Sequence, residues 1–470
     1  MARRRFQIRL PHTLVLIYAL VVLGVVATWL VPGGEYQRVE KNGRVIPVAG
    51  SFKYTARQPQ GLGALFVAPV RGFADAAPII AFLFIVGGAF AVIQKTGAIN
   101  AFINNLALKF GRSRTLRTLL IPVTMIIFSL GGAVFGMCEE AMPFVLVFVP
   151  LCICLGYDTI VGVAIPFVGA AAGFAGAFFN PFTVGIAQGI AGLPLYSGLG
   201  YRLIIWAIGT AIAVAVVMRY ANRLLKDPTA SPTYEEDQAR RKTLNLGQAG
   251  QDKVEITAGH KRVLALFLLG MALLVFGILK YKWYINEIAG LFLALGILSG
   301  LLGRLRGEDI ARSFGDGAKD MMNAALIIGC ARALLIVATD GKIMDTILYG
   351  LAKGIAGFPT IISAQLMFGA QCVINFFVHS GTAQAALTMP IMAPLGDLVG
   401  ITRQTAVFAF QLAEYINPVL PTSGVTMGVL GLAALRWDKW AKWLIPLLVI
   451  WVLFAFLSLI PPVLFHWGPM

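Results

Sequence analysis

The 470 residues are 58% hydrophobic and only 13% charged, about half the roughly 25% charge of an ordinary soluble domain, and the mean hydropathy is +0.80. That composition excludes a soluble enzyme, a nucleic-acid binder and a disordered scaffold. It fits an all-α polytopic membrane protein, whose spans each need about 20 mostly apolar residues. The net charge of +16 then reads as loop charge that sets orientation in the bilayer, with no nucleic-acid partner.

Arg3, Arg4, Arg5 and Arg9 precede an apolar run from Thr13 to Val31, which stops at Pro32-Gly33-Gly34. The run is longer than the core of a cleaved signal and lacks a clear small-residue cleavage site. It is expected to be a retained first span with its N-terminus in the cytoplasm. The mixed-charge stretch Glu35 to Arg71 is expected outside. Apolar segments follow at 76–94, 118–154, 159–197 and 201–221. A polar block, 222–262, carries Tyr234-Glu235-Glu236-Asp237 and Arg240-Arg241-Lys242 and reads as a cytoplasmic linker between halves 1–221 and 263–470. The second half continues at 263–279, 285–303, 318–339, 358–396, 402–434 and 443–464.

Four segments are too long for one span. Segments 118–154 and 358–396 carry polar residues at their centres and read as re-entrant helical hairpins, each returning to the side it entered from. Segments 159–197 and 402–434 read as broken helices. Such backbone is tolerated in a membrane only where protein buries it or water reaches it. With these assignments about twice as many basic residues fall inside as outside, which supports the orientation and puts the C-terminus outside a bacterial cytoplasmic (inner) membrane.

The halves resemble each other. Gly97-Ala98-Ile99 corresponds to Gly341-Lys342-Ile343. A polar hairpin tip follows, Gly136-Met137-Cys138-Glu139-Glu140-Ala141 in one half and His379-Ser380-Gly381-Thr382-Ala383-Gln384 in the other. Each hairpin returns through prolines, Pro143 and Pro150 or Pro390 and Pro394. Asn180-Pro181 and Asn417-Pro418 then interrupt the next helix at nearly the same distance from their tips. On this topology the hairpins enter from opposite sides, so the repeats are inverted. That architecture places a solute site at the midplane between broken helices.

The chain therefore offers a set of candidate site residues. Glu139 and Glu140 stand in a stretch almost free of other charge, and an intramembrane carboxylate costs about 2.5–3.5 kcal/mol on insertion scales. They suit a substrate ammonium or guanidinium, a cation or a proton, or else close the hairpin tip by hydrogen bonding. Asn180, Thr183, Asn417, Thr422 and Ser423 lie at the breaks, where freed N–H groups favour carboxylates and freed carbonyls favour cations. Ser380, Gly381 and Thr382 form the second tip, with His379 beside them. Glu414 lies one helical turn before Asn417. Arg332, inside a span, can meet a substrate carboxylate or pair with an acid. None of the five cysteines has zinc-type spacing, and no metal site or organic cofactor is expected; a coupling sodium ion or proton is compatible with the acids. No Walker-type glycine loop, Ser-His-Asp set or HExxH stands out, which argues against a pump or an enzyme.

Pro11-His12-Thr13, Val31-Pro32-Gly33-Gly34-Glu35-Tyr36, the run from Gly136 to Phe144 and the run from Asn180 to Gln188 resemble YfcC-type transporters of the C4-dicarboxylate anaerobic carrier group, in the ion transporter superfamily. The resemblance covers nearly the whole chain. It implies a homodimer of elevator-type transporters, each protomer with a scaffold domain and a transport domain holding both hairpins. Substrates within the group include basic amino acids and dicarboxylates. The more distant divalent-anion transporters carry Ser-Asn-Thr at their tips, where Glu139-Glu140 and Ser380-Gly381-Thr382 stand here. The residues and the resemblance together lead to an ion-coupled or exchanging transporter of a small solute, an amino acid and a basic one first, with a C4-dicarboxylate as the alternative.

Overall fold

The computed structural model describes residues 13–41, 44–99, 101–102, 105, 114–243, 256–281 and 283–468. The arginines before Thr13, Pro11-His12, Lys109, Arg112 and linker residues 244–255 lie outside the described residues. The chain is mainly helical. α1 (Thr13–Leu30) leads to two small antiparallel pairs, β1 (Gly34–Glu35) with β4 (Lys53–Tyr54) and β2 (Arg38–Lys41) with β3 (Arg44–Pro47). α2 (Leu62–Asp75), α3 (Ala77–Lys95), α4 (Arg114–Phe135), α5 (Met142–Cys154), α6 (Thr159–Ala175), α7 (Ile186–Ala191) and α8 (Leu199–Lys226) complete the first half. α9 (Tyr234–Thr243) lies in the linker.

The second half comprises α10 (Ala258–Tyr281), α11 (Ile285–Leu302), α12 (Gly307–Asp320), α13 (Met322–Asp340), α14 (Met344–Ile355), α15 (Thr360–Asn375) and α16 (Gly381–Leu398). It ends with α17 (Arg403–Leu412), α18 (Gly424–Leu432), α19 (Trp437–Ser458) and α20 (Ile460–Leu464). Among the described residues, seven helical stretches are long and apolar enough to cross a bilayer: α1, α3, α4, α8, α11, α13 and the α19–α20 run.

Three elements depart from the hydropathy reading. α2 forms inside the stretch expected to be polar, because Ala68 and Gly72 pack on α13 while Phe66, Val67 and Val70 stay on the outer surface. α12 is an amphipathic helix that buries Ile310 and Gly317 against α3. α8 runs past residue 221 to Lys226 because Ala221 and Leu224 continue its buried face.

Packing sorts the helices into two groups. α1, α2, α3, α11, α12 and α13 pack on one another, with α10 against α11. The hairpin and broken-helix segments, α4 to α8 and α15 to α19, form the other. Glycines at the α4–α6 contact let the backbones approach: a Cβ at Gly132 or Gly173 would overlap the carbonyls of Ala170 or Ser129. The groups meet where α18 lies on α13 and α3. Two grooves of about 470 and 510 Å³ run along this boundary, both lined by Asp320, Gly431 and Ala434.

Helix α9 marks one end of the molecule. There the Tyr220 and Ser231 hydroxyls donate to Asp158, at 2.5 and 2.7 Å. Arg240 donates to Thr159 Oγ1 at 2.9 Å and to the carbonyls of Ala433 and Ala434, and Arg241 donates to the Ile153 carbonyl. Arg117, near the start of α4, lies over the Tyr157 ring just after α5, so this hairpin begins and ends at the α9 end. At the opposite end Arg403 donates to the Ala191 carbonyl at 2.9 Å and Gln188 meets Gln404 at 3.2 Å. The segment from α6 to α7 therefore runs away from the α9 end, and the segment from α17 to α18 runs towards it.

Candidate functional site

At the first break, the Asn180 side-chain oxygen accepts the backbone N–H groups of Phe182 at 2.9 Å and Thr183 at 3.3 Å. Pro181 fixes φ for the first residue of the new turn and lacks only an N–H that would be unpaired there anyway. The sequence thus rebuilds a helix start within the protein, with Asn180 and Thr183 wholly buried.

The second break is built differently. A 3₁₀ turn, Ala413–Val419, runs through Asn417-Pro418, and the helix restarts only at Gly424. Ser423 caps it, accepting the Thr426 N–H at 3.4 Å. Asn417 caps nothing. Its Nδ2 donates to Glu414 Oε2 at 3.0 Å and reaches the His379 carbonyl at 3.5 Å.

Both tips lie against these breaks. Gly136 turns the first tip at φ +74°, a conformation that crowds a Cβ, and a Cβ there would stand 2.7 Å from Asn180 Oδ1. At the second tip, a Cβ on Gly381 would stand 2.5 Å from Thr183 Cγ2 and 3.2 Å from Glu414 Oε1. That tip therefore touches both breaks. Thr382 Oγ1 donates to the Phe182 carbonyl at 2.9 Å, and Ser380 caps α16 through the Ala383 N–H at 3.4 Å. His379 Nε2 lies 2.6 Å from Thr422 Oγ1, which also donates to the Phe376 carbonyl at 3.0 Å.

A small pocket of about 20 Å³, room for about one water molecule, lies between the first tip, α6 and the second break, lined by Met137, Cys138, Phe174, Glu414, Asn417 and Ser423 among others. Neither tip glutamate lines it. Glu140 turns back to accept the Cys138 N–H at 2.9 Å, and Glu139 accepts the Tyr284 hydroxyl at 3.3 Å from the start of α11. Glu139 is still near enough to Glu140 and Glu414 for their charges to interact. None of the three acids joins an ion pair among the described residues. Glu414 Oε1, Asn417 Oδ1, Thr183 Oγ1 and Asn180 Nδ2 are buried with no hydrogen-bond partner. Each such atom costs about 1–3 kcal/mol, so a cluster of them marks where a ligand's polar groups belong.

Arg332 pairs with Asp75 at the end of α2 and is not in the pocket lining. Two neighbours escaped the sequence reading. Asn375, buried at the end of α15, faces Glu414 without reaching hydrogen-bond geometry. Its signal is an amide at the end of the helix before the second tip, one turn after Gln371. Tyr284 has no such signal, because its role comes from a contact 145 residues away in sequence.

A family model described as C4-dicarboxylate anaerobic carrier matches residues 10–463. An Escherichia coli K12 protein described as "Putative basic amino acid antiporter YfcC" is 37% identical over 462 residues, covering 90% of each chain. An uncharacterised Haemophilus influenzae protein is 27% identical over 489 residues, covering 95% of this chain and 96% of its own. Among solved structures, the Alcanivorax borkumensis YdaH transporter aligns over 98% of this chain and 100% of its own, at 17% identity and a TM-score of 0.44. Neisseria gonorrhoeae MtrF, described within a class of antimetabolite efflux pumps, aligns over 97% and 96%, at 19% identity and a TM-score of 0.43. The matched family and the apolar helices define the class as a multi-pass membrane transporter and not an enzyme. Within that class, the chain belongs to the C4-dicarboxylate anaerobic carrier family, as its motifs lead one to expect.

Proposed function

We propose that the protein is a secondary active transporter that moves an amino acid, a basic one first, across a bacterial cytoplasmic membrane. Transport is coupled to a sodium ion, a proton or exchange. Glu414 carries this reading: it lines the pocket, joins no ion pair among the described residues, and keeps Oε1 buried without a hydrogen-bond partner, with Glu139 close enough to interact with it. A buried acid oxygen with no partner beside a pocket favours a bound cation or proton. A guanidinium or ammonium suits Glu414 and Asn417 Oδ1, while the Asn180 amide, the Thr183 hydroxyl and the N-terminus of α18 suit a carboxylate. The basic amino acid named in the description of the E. coli relative agrees with this. The family's own description favours a second reading, a C4-dicarboxylate, with sodium ions or protons on the acids and the substrate carboxylates at the helix starts.

The opposite directions of the two broken segments support inverted repeats. The two packing groups support an elevator mechanism, in which a transport domain of hairpins and broken helices slides against a scaffold of α1–α3 and α10–α13. The scaffold would also hold a homodimer together. In this reading the α9 end and the N-terminus face the cytoplasm and the C-terminus lies outside. Counterflow into proteoliposomes preloaded with arginine, a neutral amino acid or succinate tests the substrate. Arginine counterflow lost in Glu414→Gln supports the amino-acid reading; succinate counterflow without arginine counterflow replaces it with the dicarboxylate reading.

A further inference from the structure

A second unmatched charge lies far from the acid cluster, at the end opposite α9. Arg202, in the first turns of α8, is fully buried, and its Nε, Nη1 and Nη2 all lack a hydrogen-bond partner. It joins no ion pair among the described residues. Its guanidinium lies 5.5 Å from the centre of the Phe408 ring and 5.6 Å from that of Trp467. Rings attract the cation through their faces, but they supply no acceptor for five directional N–H donors.

The start of α8 adds a second positive element. This helix of 28 residues begins at Gly198, in the left-handed conformation, with no side-chain cap. Its leading N–H groups and the positive end of its dipole are therefore unanswered by the sequence. A helical side chain leans towards the N-terminus of its helix, which directs Arg202 to the same place. Trp467 closes over both, since a Cβ at Gly198 would overlap its indole, and also the Gln404 amide. Gln404 already donates to the Ser197 carbonyl, so that carbonyl is not left for Arg202 alone.

We propose that Arg202 and the N-terminus of α8 bind a small monovalent anion of chloride type, under the Trp467 indole. One full positive charge and one partial charge, between aromatic walls, match a compact monoanion. A phosphate or sulfate brings a second charge, with no second full positive charge there to meet it. The bound ion would join the start of α8 to α17 and the segment after α20. It stands apart from the solute pocket and does not depend on what that pocket carries.

The test uses the purified full-length protein at constant ionic strength. Chloride and bromide should raise the thermal midpoint saturably over gluconate, by roughly 2–4 °C, and sulfate should not. Arg202→Gln should abolish the shift and Arg202→Lys should keep part of it. Equal shifts in wild type and Arg202→Gln, or no halide-specific shift in wild type, would overturn the proposal. If Arg202→Gln fails to fold, bromide soaked into crystals of the wild type decides. An anomalous peak beside the guanidinium supports the site, and its absence at saturating bromide removes it.

Discussion

At the first break Asn180 commits its side-chain oxygen to two backbone N–H groups, whereas at the second Asn417 commits its nitrogen to Glu414 and leaves capping to Ser423. The dipeptide is the same, but the residues after it differ. After Pro181 the chain Phe-Thr-Val-Gly can coil at once, while after Pro418 a second proline, Pro421, blocks helix and pushes the new start to Gly424. The delay leaves an irregular stretch in which Glu414 and Asn417 keep free oxygens at the pocket. The first break is thus capped by its own asparagine and keeps only that amide nitrogen and the Thr183 hydroxyl unmatched, while the second keeps acid and amide oxygens unmatched.

The largest effects should separate the acids. Glu414→Gln keeps shape and hydrogen-bonding atoms but removes the charge, so arginine affinity should fall roughly ten- to a hundredfold, the worth of about 1.5–3 kcal/mol for a charged contact. Glu139→Gln, whose observed partner is the Tyr284 hydroxyl, should cost under about tenfold. Binding calorimetry of both variants checks this, and equal losses would erase the distinction between tip and break.

Next comes the second tip. Gly381→Ala must push Thr183 or Glu414 aside, at a cost of about 1–3 kcal/mol, and should impair counterflow. Gly369→Ala, on α15 with open space around its Cβ, should be neutral or stabilising by up to about 1 kcal/mol. Thermal unfolding and counterflow measured on the same samples separate the two.

The breaks themselves should then part. Asn180→Ala removes a cap and should lower stability by about 1 kcal/mol. Asn417→Ala removes none, and should alter arginine affinity more than the unfolding midpoint. The reverse ranking would mean that the second asparagine is structural after all. Smallest, Ser423→Ala should cost about 0.5 kcal/mol, because its capping bond is long.

Much of this was legible in the sequence, and the limits are physical. Spans such as α1, α3 and α13 follow from apolar runs, and the breaks follow from Asn-Pro within such runs. The different fates of Asn180 and Asn417 were not legible from the dipeptide, because capping depends on the turn that forms beyond it. Glu139 and Glu140 drew attention as charges in an apolar stretch. Which way each carboxylate faces depends on Tyr284 and on the Cys138 N–H, contacts that spacing does not encode. Arg332 left two readings, a substrate partner or an ion pair, and the pair with Asp75 joins helices far apart in the chain. α2 was hidden because only Ala68 and Gly72 mark its buried face.

The bonds around α9 have a mechanical consequence. Through Arg240 and Arg241 this short helix grips the close of α5, the opening of α6 and the carbonyls of Ala433 and Ala434 just past α18. Lys439 adds a tie to Glu236 from the start of α19. The helix acts as a splint across both halves of one packing group, on a segment that hydropathy alone reads as a plain connector. A load applied to either broken helix at this end is therefore shared with the other. Ala239 and Arg240 also line the groove between α18 and α3, so the splint reaches to the edge of the seam between the two packing groups.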